Sequence, residues 1–170
     1  MNEYNIEITG LSENKEYFFD FKVDDGFFAN RNNPQLTGGS IDVEVTLLKK
    51  SDGLFLDIEV SGTLDVICNR CLDCYPQHIS FRDNIVVNFD NETNFDTTES
   101  YVILDKKANE INISRFIYEF CEFALPISCV HSTTNGETNC NKKMLEILNK
   151  YNKEEPKVDP RWEKLKQFIN

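Results

Sequence analysis

Over its first two thirds the chain alternates apolar and polar residues with a period of two, as strands with one buried face do. Glu3–Gly10 ("EYNIEITG") sets Tyr4, Ile6 and Ile8 on one side. Lys15–Val23 ("KEYFFDFKV") predicts an aromatic strand that breaks into a turn at "DDGFFANR". Asn32–Ser40 ("NNPQLTGGS") predicts an exposed loop. Ile41–Lys50, the turn Ser51–Gly53 and Leu54–Cys68 predict a hairpin whose second arm runs into a cluster of cysteines. His78–Asp90 predicts the next antiparallel strand, so "CNRCLDCYPQ" falls in the connection between two strands. The polar stretch "NETNFDTTES" predicts a loop, and Tyr101–Leu104 a short strand after it.

The period then lengthens. In Asn112–Leu125 the apolar pairs Phe116/Ile117, Phe120/Cys121 and Ala124/Leu125 recur every four residues, predicting an amphipathic helix capped by Ser114 and ended by Pro126. Asn141–Tyr151 predicts a second helix with Met144, Leu145, Ile147 and Leu148 on its apolar side. "DPRWEKLKQFI" predicts a terminal helix: Asp159 can cap it, Pro160 suits its first position, and Trp162, Leu165 and Phe168 form a narrow stripe. The expected fold is α+β, a mostly antiparallel sheet or open barrel with a C-terminal helical region. The expected organisation is an α+β domain over 1–152 and a linker with a terminal helix over 153–170.

Composition narrows the function classes. The chain has 170 residues, 13 Phe and 40% hydrophobic content, enough to bury a core. Its beginning has neither a basic segment nor an apolar one, and no apolar run approaches the ~20 residues of a membrane span, so a cytoplasmic protein is expected. In that reducing compartment six cysteines are thiols or metal ligands sooner than disulfides. Charge is segregated: residues 1–140 carry 10 basic and 24 acidic groups, and residues 141–170 carry 8 basic and 5 acidic. An acidic body repels phosphate and suits a basic protein partner or simple solubility. Only the basic tail offers itself to RNA.

The candidate chemistry lies in the cysteines. Cys68-x2-Cys71 is a pair of the kind that one tight turn presents to Zn²⁺, at about 2.3 Å per thiolate. A tetrahedral site needs two more donors, and "CVHSTTNGETNC" supplies His131 and Cys140. Cys74 and Cys129 are near enough in sequence to substitute for a neighbour. Competing readings stay open. The pair can be redox-active, although such pairs open a helix within a βαβ unit and this one joins antiparallel strands. The cysteines can also be reduced core residues, as expected for Cys121 on the apolar face of its helix, and His78 reads as a surface residue. "NNPQLTGGS" lacks a P-loop lysine, two histidines give a hydrolase triad little footing, and no catalytic carboxylate pair is visible. Arg70 reads as a support for the cysteine turn, through backbone carbonyls or a carboxylate, ahead of a phosphate contact. Trp162 reads as an anchor for the terminal helix.

Several of these residues resemble a known family. "GTLDVICNRCLDCY", then a strand, then "IYEFCEFALPISCVH" and a cysteine nine positions past the histidine are similar to the YceD family of large ribosomal RNA subunit accumulation proteins. The Cys-x-Arg-Cys-Leu segment falls on Cys68, Arg70, Cys71 and Leu72, and the Leu-Pro…His…Cys pattern on Leu125, Pro126, His131 and Cys140. "DPRWEKLKQF" and the amino-terminal layout resemble one branch of the family; Cys74, Cys121 and Cys129 depart from its pattern. The resemblance implies a non-enzymatic bacterial cytoplasmic protein that supports large-subunit ribosomal RNA accumulation. It implies a ribosomal protein or a preribosomal large-subunit particle as partner, and no membrane. The alternatives are a thiol- or zinc-responsive switch and an enzyme acting on ribosomal RNA.

Overall fold

A computed structural model describes residues 3–29, 31, 33–51, 53–90, 101–134 and 137–152. Two compact units emerge, Met1–Ile67 with Cys74–Cys129, and Cys68–Asp73 with Val130–Asn170. The expected loop over 91–100 and the expected linker and helix over 153–170 lie outside the described residues.

In the first unit, strand β1 (Asn5–Glu7) buries Ile6 completely. Strand β2 (Glu16–Val23) follows, then a short helix α1 (Asp25–Ala29) where a turn was predicted. The carboxylate of Asp24 accepts the Gly26 N–H (3.0 Å), an N-cap arrangement, and Phe28 is buried. Strand β3 (Leu36–Lys49) begins five residues earlier than the periodicity indicated. Gly38 and Gly39 read as loop residues, yet Gly39 pairs with Leu64 of strand β4 (Gly53–Ile67). Gly39 and Gly62, at φ 156° and 148°, lie where the facing backbone leaves no room for a side chain: a Cβ on Gly62 would sit 2.3 Å from the Ser40 carbonyl oxygen. Alternation was hidden there because glycine has no side chain to alternate.

The β3–β4 hairpin forms as predicted and closes with Lys50 N–H donating to Gly53 O (2.9 Å). Strand β5 (Cys74–Asp90) pairs antiparallel with β4 along its length and starts at Cys74, ahead of the expected His78. Strand β6 (Tyr101–Asp105) runs parallel to Val86–Asp90 of β5. A period of two carries no direction, so that pairing was invisible in the sequence. The order β2-β3-β4-β5-β6 leaves two free ends, an open sheet and not a barrel. The α+β fold class holds.

Strand β7 (Glu110–Asn112), which was not predicted, pairs with β1 and leads into helix α2 (Ser114–Phe123). Ser114 is the first helical residue and does not cap the helix: the N-cap is Ile113, and Asn112 Oδ1 accepts the Ser114 N–H (3.1 Å). The helix stops at Phe123, before Pro126 can act. Phe116, Ile117, Phe120 and Cys121 are buried as the four-residue spacing requires, and Phe120 meets Phe81 of β5 edge-on at 5.2 Å. One face of the sheet thus carries the core: Val43, Val45, Leu47, Leu56, Ile58 and Val60 are almost wholly buried.

The second unit is lighter. Strands β8 (Thr133–Thr134) and β9 (Glu137–Thr138) pair antiparallel. Helix α3 (Lys142–Asn152) falls where predicted, but its apolar side is not sequestered: Ile147 is 48% and Leu148 37% exposed. No helix among the described residues is long and apolar enough to cross a membrane.

Candidate metal centre

The loop Cys68–Asp73 joins β4 to β5 and is folded by its own backbone. Cys68 N–H donates to Asp73 O and Leu72 N–H to Cys68 O, both at 2.9 Å. This closure drives Leu72 to φ 63°, a left-handed conformation that costs an L residue about 1–2 kcal/mol. It also turns the Cys68 and Cys71 side chains inward, so both are buried. Arg70 serves the loop through its backbone: its N–H points at Cys68 Sγ (3.4 Å). Its guanidinium makes no hydrogen bond or ion pair among the described residues, in contrast to the side-chain support that the sequence suggested.

The other two donors come from the ends of the β8–β9 ribbon. His131 precedes it, and Cys140 follows it just before α3. Asn141 ties this half down. Its Oδ1 accepts the Lys143 N–H at the start of α3, and its Nδ2 donates to Asp73 Oδ2 in the cysteine loop, each at 3.1 Å. The sequence reading missed Asn141 and Asp73; the only available signal was an asparagine just before a helical pattern, a cap residue.

Cys68 Sγ, Cys71 Sγ, His131 and Cys140 Sγ offer four donor atoms that all lie within 4.8 Å of one another. Cys68 and Cys140 sulfurs are 3.9 Å apart, too far for a bond between them; His131 Nδ1 is 3.5 Å from Cys71 Sγ and 3.6 Å from Cys140 Sγ. A tetrahedral zinc site with ordinary bond lengths has edges of about 3.8 Å between sulfurs and about 3.6 Å from sulfur to nitrogen. These three edges match a tetrahedral metal shell, and the donor set has the chemistry to hold a metal ion. A metal bound there would supply a cross-link between the two halves of the chain that carry the donors.

The electrostatics favour the thiolate at Cys68 and oppose it at Cys71. Burial opposes ionisation of Cys68, but backbone N–H groups of Cys71, Arg70 and His131 and the His131 ring outweigh it, bringing the thiol down to about 6. Burial pushes the Cys71 thiol up, against backbone N–H groups of Asn141 and Asp73. The two substitutes lie elsewhere. Cys74 is exposed at the start of β5, 3.4 Å from Thr37 Oγ1. Cys129 is buried and directs its thiol to Pro126 O (3.7 Å). Cys121 is buried in α2, where desolvation pushes it to about 12. His78 is exposed on β5, with Nδ1 3.0 Å from Thr63 Oγ1.

A family model described as "Large ribosomal RNA subunit accumulation protein YceD" matches residues 56–169. The chain belongs to the YceD family. The YceD match takes in all four donors and begins inside β4, so β1–β3 precede it. No curated protein and no solved structure gives a significant match.

Proposed function

We propose that this YceD-family chain is a non-enzymatic ribosome-biogenesis factor that supports accumulation of large-subunit ribosomal RNA in the cytoplasm. In this reading Cys68, Cys71, His131 and Cys140 hold a structural Zn²⁺. The family description supports the ribosomal role. The observation that supports a structural metal is the number of clustered donors: four protein donor atoms within 4.8 Å of one another would complete a tetrahedral shell and leave no position for a reacting water, as in structural zinc sites. Soft thiolates with one imidazole favour zinc over magnesium or calcium. The partner is a ribosomal protein or a preribosomal large-subunit particle, met by an acidic body of 24 acidic and 10 basic groups over residues 1–140. Against a thiol switch, Cys68, Cys71 and Cys140 are buried, whereas reactive thiols need access.

Two measurements test the reading. Elemental analysis of the purified chain is expected to give one zinc per chain, reduced to background by Cys68→Ser or Cys140→Ser. Depleting the protein in cells is expected to lower the ratio of large- to small-subunit ribosomal RNA. A metal-free native protein would overturn the zinc assignment, and an unchanged ratio would overturn the ribosomal one.

A further inference from the structure

The sheet of the first unit has a second face, opposite the one that carries the core. Register places Asp20 of β2 directly across from Glu44 of β3, and Glu44 directly across from Glu59 of β4. Three carboxylates thus stand side by side on neighbouring strands. Like charges in opposed positions destabilise a sheet. Relief is partial: the Arg82 guanidinium comes within 3.8 Å of Glu59 but is committed to Asp57, with bonds of 2.8 and 2.7 Å. Among the described residues no cation pairs with Asp20 or Glu44.

Solubility explains little of this. Charges on an end strand such as β2 guard against edge-to-edge association, but Glu44 and Glu59 stand on β3 and β4, whose edges are both taken. Beside the carboxylate rung, on the same face, Phe18 is 72% exposed and sits opposite Thr46. A large aromatic ring held in water next to carboxylates that are at most partly compensated is a surface arranged for something else.

We propose that this outer face of the sheet docks a Lys/Arg-rich protein segment carrying an apolar side chain. Long basic side chains would reach the Asp20–Glu44–Glu59 rung, while their stems or an apolar neighbour cover Phe18. RNA is a poor occupant because its phosphates meet carboxylates, and a second copy of the same face brings like charges together. The inference rests on the ribosomal reading above and supplies it with a surface and a partner chemistry.

The test titrates the full chain with three probes: a synthetic Lys/Arg-rich peptide bearing Leu residues, an uncharged peptide of equal length, and a single-stranded RNA. Glu44→Gln/Glu59→Gln and Phe18→Ser are compared with wild type, and Glu13→Gln serves as the control. The basic peptide is expected to bind wild type and control alike, and the double variant about tenfold more weakly. The thermal midpoint of the double variant is expected to be unchanged or higher, because repulsion has been removed. Equal peptide binding by wild type and variants, or tighter binding of the RNA, would overturn the proposal. A cellular arm separates it from the parent reading. If depletion lowers large-subunit ribosomal RNA and the double variant restores it fully, the docking face fails while the ribosomal role stands. If depletion has no effect yet the variants lose the peptide, the role fails and the face stands.

Discussion

The two units of this chain differ in what their described residues bury. In the first, strands and helices bury an apolar cluster that runs from Ile6 to Cys129, with Leu47, Leu54, Ile58 and Val60 wholly removed from water. In the second, the buried residues among those described are Cys68, Cys71 and Cys140, three of the four donors. Meanwhile Ile147, Leu148 and Tyr151 of α3 stay exposed. Among its described residues the second unit buries no large apolar side chain, and small domains with little apolar burial rely on a metal or disulfides. On the proposed reading the weight falls on methyl groups in one unit and on sulfur and imidazole in the other.

The strongest way to break the comparison is to remove the metal proposed above. Structural zinc contributes about 10–16 kcal/mol in zinc-finger peptides, so a chelator is expected to unfold the second unit alone. Amide exchange over 142–151 should quicken by more than about tenfold, while β3 and β4 amides keep their protection. Uniform loss of protection in both units would erase the distinction. A core cavity is the reciprocal perturbation: Leu56→Ala, at a site 1% exposed, should lower unfolding free energy by about 2–5 kcal/mol in denaturant melts and leave zinc content unchanged. Smaller again, Leu72→Gly relieves the left-handed backbone at φ 63° and should stabilise the loop by about 1 kcal/mol, read as a later midpoint in chelator titration. The mildest probe changes no stability at all. Alkylation of the native protein should modify Cys74 first, since it is exposed, and Cys121 last, since burial holds it near 12. Cys68, Cys71 and Cys140 should react only once chelator is present.

Much of the sheet was legible in the sequence because alternation is a property of single strands. Val43, Val45 and Leu47 announce their face without knowledge of any neighbour. What depends on a neighbour was hidden. Strand direction between β5 and β6 lies in the pairing, and glycines that approach a facing strand look like loop when read alone. The Phe-Phe pair after Asp24 reads as turn or helix depending on whether a core receives Phe28. For the candidate site, cysteine spacing singled out Cys68 and Cys71, and the count of a tetrahedral shell suggested His131 and Cys140, whose donor atoms the fold brings within 4.8 Å of theirs. The backbone amides around Cys68 and the Asn141–Asp73 bond were out of reach because they exist only after the chain has closed on itself.

That closure has a consequence in time. Cys68 and Cys140 are 72 positions apart, and chains grow at about 5–20 residues per second, so the loop thiols emerge roughly 4–14 s before their last partner. On the proposed reading, the cysteine loop during synthesis is a half-made vessel that must stay reduced and unclaimed by other soft metals. If the four donors hold zinc as proposed, a cell short of zinc or under oxidant stress would damage newborn copies of this protein, while finished ones persist.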